Sequence, residues 1–335
     1  MEIIPETRRE AVQEALHSVF DRPGLPDLRP IAGGASGALV CRFEAAGRAY
    51  ALRLEPERIP LADRQRGYDC LAAAAEVGAA PAVLYADAAS GVAIIAFIEN
   101  RPLAAFPGGR AALVEGLGRL FARIREAPPF PVLPDYPEVA QILLDAVEAS
   151  GLLAPGLLRP HAEGLARIRA ALPWSQRGFF PAHNDPNPRN LLFDGERLWL
   201  VDWELAAMND PLVDVAIGAT EYAQTPELED LLLRAAFGRI PDRALKARLA
   251  VVRLLTRIFY GAIVLESMTG QPRAGQVASL EAFTPESFRQ AVAGGRLGGA
   301  TPETVLAFAM MSLRAFLDGI AEPGFEAALR LAATA

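Results

Sequence analysis

Cysteine and histidine are scarce in this chain. Cys41 and Cys70 are the two cysteines among 335 residues, and they lack the spacing of a metal-ligand pair. That argues against a thiolate metal centre and reads as reduced core thiols. The three histidines, His17, His161 and His183, are scattered, so a histidine-rich metal site is not expected. No apolar run reaches the ~18 residues of a membrane span, and the charged stretch from Met1 to Glu10 lacks the apolar core of a signal peptide. These absences lead to the expectation of a cytoplasmic protein with no membrane partner. Clustered positive charge is missing too. With a net charge of −7 the chain is poorly suited to nucleic acid, whose phosphates demand grouped lysines and arginines. Repeats and low-complexity tracts are absent. What remains is 52% hydrophobic and 22% charged, the make-up of a well-packed globular protein, and the length suits two lobes.

The most informative stretch is Ala182-His183-Asn184-Asp185-Pro186-Asn187-Pro188-Arg189-Asn190, followed by Leu200-Val201-Asp202-Trp203-Glu204. An aspartate follows a histidine by two residues, an asparagine lies five further on, and a second aspartate follows 17 positions after the first. Phosphoryl transfer from a nucleotide requires such groups: a base near the attacking hydroxyl, and one neutral and one anionic oxygen ligand for magnesium. Leu191-Leu192-Phe193 and Leu198-Trp199-Leu200-Val201 flank Asp194-Gly195, a hairpin turn signal. A hairpin there would bring Asn190 close to Asp202.

The segment from His183 to Leu192 closely resembles the catalytic loop of the aminoglycoside phosphotransferase and choline kinase superfamily. Asp202 to Ala216, with Asn209-Asp210-Pro211 and Asp214 inside it, is similar to the bacterial choline and ethanolamine kinase branch. The resemblance covers most of the chain, about residues 25 to 320, and is most specific at these two segments. It implies an α+β, protein-kinase-like fold. The expected division is a small β-rich N-lobe over residues 1–99, carrying the glycine loop and the phosphate arginine, and a larger, mainly helical C-lobe over residues 100–335.

The order of the N-terminal part is consistent with that layout. Ala11, Ala15, Val19 and Phe20 predict an opening helix. Arg29 to Phe43 then gives a strand, a loop around Gly33, Gly34 and Ser36, and a second strand; Ala49 to Leu54 gives a third. Glycines let backbone N–H groups approach phosphate oxygens without an intervening Cβ, so Gly33, Gly34 and Ser36 are candidate nucleotide contacts. Arg53 stands where protein kinases place a lysine for the phosphates, and the choline kinase branch resembles this chain in using arginine, which can bind phosphate through two donors. The family offers that cation a glutamate from the next helix. Here Gly67 occupies the matching place, and Asp63 or Asp69 are the candidate substitutes. Two more strands end at Glu99-Asn100-Arg101-Pro102, the expected hinge, with Glu99 assigned to the nucleotide site. Beyond it the chain is mostly helical: Leu113, Leu117, Leu120, Phe121 and Ile124 form a core-facing stripe, and Thr301-Pro302 opens a last helix.

The resemblance implies roles for the site. Asp185 would accept the substrate hydroxyl's proton, Asn190 and Asp202 would hold Mg2+, and His183 and Asp214 would brace the loop. For the acceptor, Glu204, Glu221, Tyr222 and Tyr260 are candidates for enclosing a cation, although Leu205 and Val213 replace aromatics that the choline branch tends to have. The chain is thus expected to be an ATP- and Mg2+-dependent phosphotransferase acting on a hydroxyl of a small, cationic molecule such as choline or ethanolamine. Aminoglycoside or thiamine kinases, and a catalytically weak nucleotide-binding regulator motivated by Gly67, remain alternatives. Oligomeric state is left open. A protein kinase is disfavoured, since no Ala-Pro-Glu element or activation segment follows Asp202.

Overall fold

The structure, a computed structural model, describes residues 3–21, 26–31, 37–56, 63–174, 178–269, 283–299 and 301–334. In chain order, α1 (Arg9–Phe20) precedes strands β1 (Arg29–Pro30), β2 (Leu39–Ala45) and β3 (Arg48–Leu54). Helix α2 (Arg64–Glu76), strands β4 (Val83–Asp87) and β5 (Val92–Ala96), and helices α3 (Gly109–Ile124), α4 (Tyr136–Ala149) and α5 (Arg159–Ala171) follow. Four short strands come next: β6 (Phe180–Ala182), β7 (Leu191–Phe193), β8 (Leu198–Leu200) and β9 (Ala207–Asn209). The described chain closes with α6 (Leu212–Tyr222), α7 (Pro226–Phe237), α8 (Arg243–Glu266), α9 (Pro285–Ala293), α10 (Pro302–Ala321) and α11 (Phe325–Ala332).

The chain divides into two units. The first comprises Met1–Val132, Phe180–Asp214 and Glu221–Arg239. Its five-stranded antiparallel sheet has the order β1-β2-β3-β5-β4. Alternation sets its buried face: Cys41, Phe43 and Ala45 on β2, and Tyr50, Leu52 and Leu54 on β3, join Val12, Ala15 and Leu16 of α1 in one core. Arg53 therefore faces away from that core, in register with Val40 on one side and Ala93 on the other. Helix α2 starts at Asp63, whose carboxylate accepts from Arg66 N at 3.2 Å. β6 pairs with β9, and β7 with β8. These pairings return the segment before β7 to the segment after β8. The connection between β7 and β8 is a four-residue loop, not a two-residue turn. Asp194 Oδ1 accepts from the N–H groups of both Glu196 and Arg197, at 2.8 Å each, and this side-chain cap favours the longer loop.

The second unit, Leu133–Phe179, Val215–Thr220 and Ile240–Ala335, is helical, with α8 packed by α4, α10 and α11. Helix α10 is long and apolar enough to cross a membrane by length and composition. Within its unit it packs on α8, α5 and α9, burying Ala309, Met310, Leu313 and Phe316.

Candidate active site

The chain leaves β6 into a loop held by polar groups of the segments that follow β8. The buried Asp214 carboxylate accepts from His183 N at 2.8 Å and Asn184 N at 2.7 Å. Burial pushes its carboxyl up to about 7, against the pull of those two donors. Asn184 adopts a left-handed backbone (φ 65°), which asparagine tolerates. Its side chain donates to Leu205 O (2.9 Å) and accepts from Asn209 (2.7 Å), tying the loop to the segment between β8 and β9. The His183 ring is buried, 4.5 Å from Trp203. Its Nε2 donates to Val201 O at 3.0 Å and its Nδ1 accepts from Asp185 N at 3.2 Å. These two bonds specify one neutral tautomer, and burial lowers the imidazole pKa to about 4.

Asp185 presents a carboxylate fixed on both oxygens. Asn187 Nδ2 donates to Oδ1 at 2.9 Å, and Asn190 Nδ2 donates to Oδ2 and to the Asp185 carbonyl, both at 3.0 Å. Asn190 O in turn accepts from Val201 N at 3.0 Å, so the asparagine lies beside the backbone leading to Asp202. Asp202 has φ 68° and ψ 66°, an uncommon conformation for a non-glycine residue and one that clusters at functional sites.

Arg53 reaches this point from the sheet. Its Nη2 donates to Asp202 Oδ1 at 2.7 Å and lies 3.7 Å from Glu204 Oε2, while Nε donates to Glu55 Oε1 at 2.5 Å. Burial opposes its charge, but Asp202, Glu55 and Glu204 outweigh burial and hold the guanidinium pKa above its ordinary value. Glu204 moves up as well, through burial and the negative charge of Asp202, with Arg53 pulling the other way. The carboxylates sought on α2 do different work: Asp63 caps the helix, and Asp69 accepts from Gln65 at 2.8 Å. Glu55, two residues along the strand from Arg53 and on the same face, is the partner that the sequence reading missed.

Arg53, Glu55, Asp63, Asp202 and Glu204 line a cleft of about 370 Å³, and Asp185 and Asn190 are not among its lining residues. Val40, Ala51, Ile95 and Phe97 from the sheet, with Leu192 and Val201 from the β7–β8 region, give the rest of it apolar walls. Gly33, Gly34 and Ser36 lie outside the described residues. The Glu99 side chain is 70% exposed and pairs with Arg42 at 3.0 Å. Its neighbour Asn100 lines the cleft and accepts from Phe193 N at 3.0 Å. Arg189, to which the sequence reading gave no task, also borders the cleft. Lys246 is the chain's single lysine, so the cations along the cleft are arginines.

The acceptor candidates separate. Glu204 lines the cleft. Glu221 and Tyr222 do not; Arg110 binds their backbone carbonyls at 3.3 and 3.0 Å, and the Tyr222 ring is buried. Tyr260 belongs to the second unit, edge-on to Phe259 and Phe308 on α8 and α10. Trp203 also borders the cleft but is buried, its Nε1 donating to Leu200 O at 3.1 Å.

The donor set fits a hard divalent cation. With its amide nitrogen spent on Asp185, Asn190 has Oδ1 as its remaining ligand atom, and the ion pair with Arg53 engages only one oxygen of Asp202. One carboxylate and one amide oxygen, completed by phosphates and water, are what Mg2+ takes.

Protein LicA of Haemophilus influenzae is 43% identical over 53 residues, 16% of this chain and 20% of that protein. A choline/ethanolamine kinase family protein from Mesorhizobium loti superposes with a TM-score of 0.68 at 21% identity, covering 98% of this chain and 100% of that one. Choline kinase LicA from Streptococcus pneumoniae gives 0.63 at 15% identity, covering 81% and 94%. A model of the phosphotransferase enzyme family matches residues 27–249. The chain therefore belongs to the phosphotransferase enzyme family and has an α+β, protein-kinase-like fold.

Proposed function

We propose that this enzyme transfers the γ-phosphoryl group of ATP, with Mg2+, to the hydroxyl of a small cationic alcohol of the choline or ethanolamine kind. The observation that carries the reading is two hydrogen-bonded pairs, Asn190 with Asp185 and Arg53 with Asp202, brought together by the backbone bond from Val201 N to Asn190 O. Mg2+, when bound, would supply positive charge against the phosphates. The protein's own part is positioning and electrostatics. Asp185, held on both oxygens, orients the acceptor hydroxyl and takes its proton. His183, neutral and fixed in one tautomer, keeps the Asp185 backbone in place. Arg53 offers its Nη edge to phosphate, and Asn190 and Asp202 hold the cation. The apolar walls of the cleft suit an adenine ring, and we place the lobe boundary near residue 100, where Asn100 joins β7.

Support for a cationic acceptor comes from the anionic balance of the site, where Asp202, Glu55 and Asp185 add to burial in raising the Glu204 pKa, and from kinship with proteins named as choline or ethanolamine kinases. The reading as a weak regulator drew on the missing glutamate at Gly67. That motive fades once Glu55 is counted, because Arg53 does not lack a carboxylate partner.

Titration calorimetry with ADP, with and without Mg2+, tests the assignment. Asp202→Ala is expected to reduce the Mg2+-dependent gain in affinity about tenfold or more, since a hydrogen bond to a charged group contributes roughly 1.5–3 kcal/mol. An unchanged Mg2+ dependence would remove Asp202 as a ligand.

A further inference from the structure

We propose that Glu55 is the positioning residue for Arg53, supplying from the end of β3 the carboxylate that α2 lacks at Gly67. The proposal rests on the reading of the cleft as a Mg2+–nucleotide site. Four observations carry it. Glu55 is 4% exposed, and its Oε1 accepts from Arg53 Nε. Its backbone is clamped at both ends: Glu55 N donates to Gly91 O at 2.9 Å, and Arg8 Nη1 donates to Glu55 O at 3.0 Å while Nη2 spans Ser90 O and Gly91 O. Its second oxygen, Oε2, is buried without a hydrogen-bond partner and belongs to a residue lining the cleft, as does the unpartnered Tyr68 hydroxyl.

The fourth observation explains why the carboxylate is on the strand. An ideal Cβ at Gly67 would lie 3.5 Å from Glu204 Cα and 3.8 Å from Trp203 O. Helix α2 therefore sits flush against the segment that follows Asp202. A methyl group fits there, but a glutamate side chain built from that position would drive into the segment.

The consequence concerns Asp202. Arg53 is shared among three carboxylates, and the guanidinium is a rigid fork whose orientation decides which atoms face a ligand. Glu55 holds the Nε edge, so that the Nη edge can meet phosphate and Asp202 can keep an oxygen for the cation. Without Glu55 the fork is steered by Asp202 and Glu204 alone, and arginine competes with Mg2+ for Asp202.

The test is Mg2+–ADP affinity by calorimetry on the full chain, with steady-state kinetics alongside. Glu55→Gln is expected to weaken Mg2+–ADP binding about tenfold and to raise the KM for ATP more than it lowers kcat. Glu55→Asp is expected to recover most of the loss. In an Arg53→Met background, Glu55→Gln should add less than about twofold, because the residue acts through Arg53. That double variant removes both members of the Arg53–Glu55 pair, so neither is left buried without the other, and the comparison stays readable if Glu55→Gln alone folds poorly. Affinity of Glu55→Gln equal to that of the parent, or a full tenfold loss added on top of Arg53→Met, would overturn the proposal. Failure of the parent itself to bind Mg2+–ADP would sink the nucleotide reading, and this proposal with it.

Discussion

His183, in the loop after β6, and Asp214, on α6, are buried against each other and titrate in opposite senses. The His183 pKa is depressed to about 4, so its contribution to stability is present above the unfolded value near 6.5 and is lost as pH falls through about 4. Asp214 is raised to about 7, so its contribution is full below its unfolded value near 3.8 and is lost as pH rises through about 7. Between those limits the two offset each other, and the loop is a poor place to read a single titration. His161 is a cleaner one. It is buried on α5, hydrogen-bonded to Leu313 O at 3.2 Å and stacked on Phe316, with burial lowering its pKa to about 4. Between pH 6.5 and 4 the parent is expected to lose on the order of 3 kcal/mol from this group that His161→Gln does not lose. Melting curves of both proteins at pH 7.5 and 4.5 check it, and a parent–variant difference independent of pH would contradict it.

At the scale of elements, the stripe Leu113, Leu117, Leu120, Phe121 and Ile124 predicted α3 and its buried face, because helical period alone decides both. The same stripe says nothing about the facing helix. Gly118 does: a Cβ there would lie 2.6 Å from Ala235 Cβ and 2.8 Å from Leu232 O, so α3 and α7 meet backbone to backbone. Gly118→Ala should force them apart at a cost of about 1–3 kcal/mol, exceeding its gain in helix propensity of about 1 kcal/mol. Gly116→Ala on the same helix meets chiefly the far edge of the Phe106 ring, at 3.1 Å, and no backbone. Gly118→Ala is expected to melt below both the parent and Gly116→Ala; equal melting temperatures would refute the close contact. The hairpin after Asn190 was legible because its strands are contiguous apolar runs, whereas its loop length depended on the Asp194 side chain. Glu55 was legible in principle, since residues two apart on a strand share a face. It was overlooked because the family pattern directs attention to α2.

Across the whole molecule, the two segments around Asp185 and Asp202 could be singled out from sequence because each is a short linear motif. The acceptor contacts could not. Glu221, Tyr222 and Tyr260 lie on helices, where a residue facing a pocket and one facing the core follow the same period. The net charge of −7 is similarly mute about which small molecule enters. Substrate choice is a property of assembled surfaces, and chemistry at Asp185 is the claim on which every other assignment depends. It is tested by ADP release from the purified full chain with Mg2+ and ATP, across choline, ethanolamine, thiamine and aminoglycosides, with Asp185→Asn as the control. Release that requires choline or ethanolamine and falls at least about 100-fold in Asp185→Asn is the expected result, in line with the worth of a positioned general base. Release unaltered by Asp185→Asn, or no acceptor-dependent release with any of these alcohols, would contradict it.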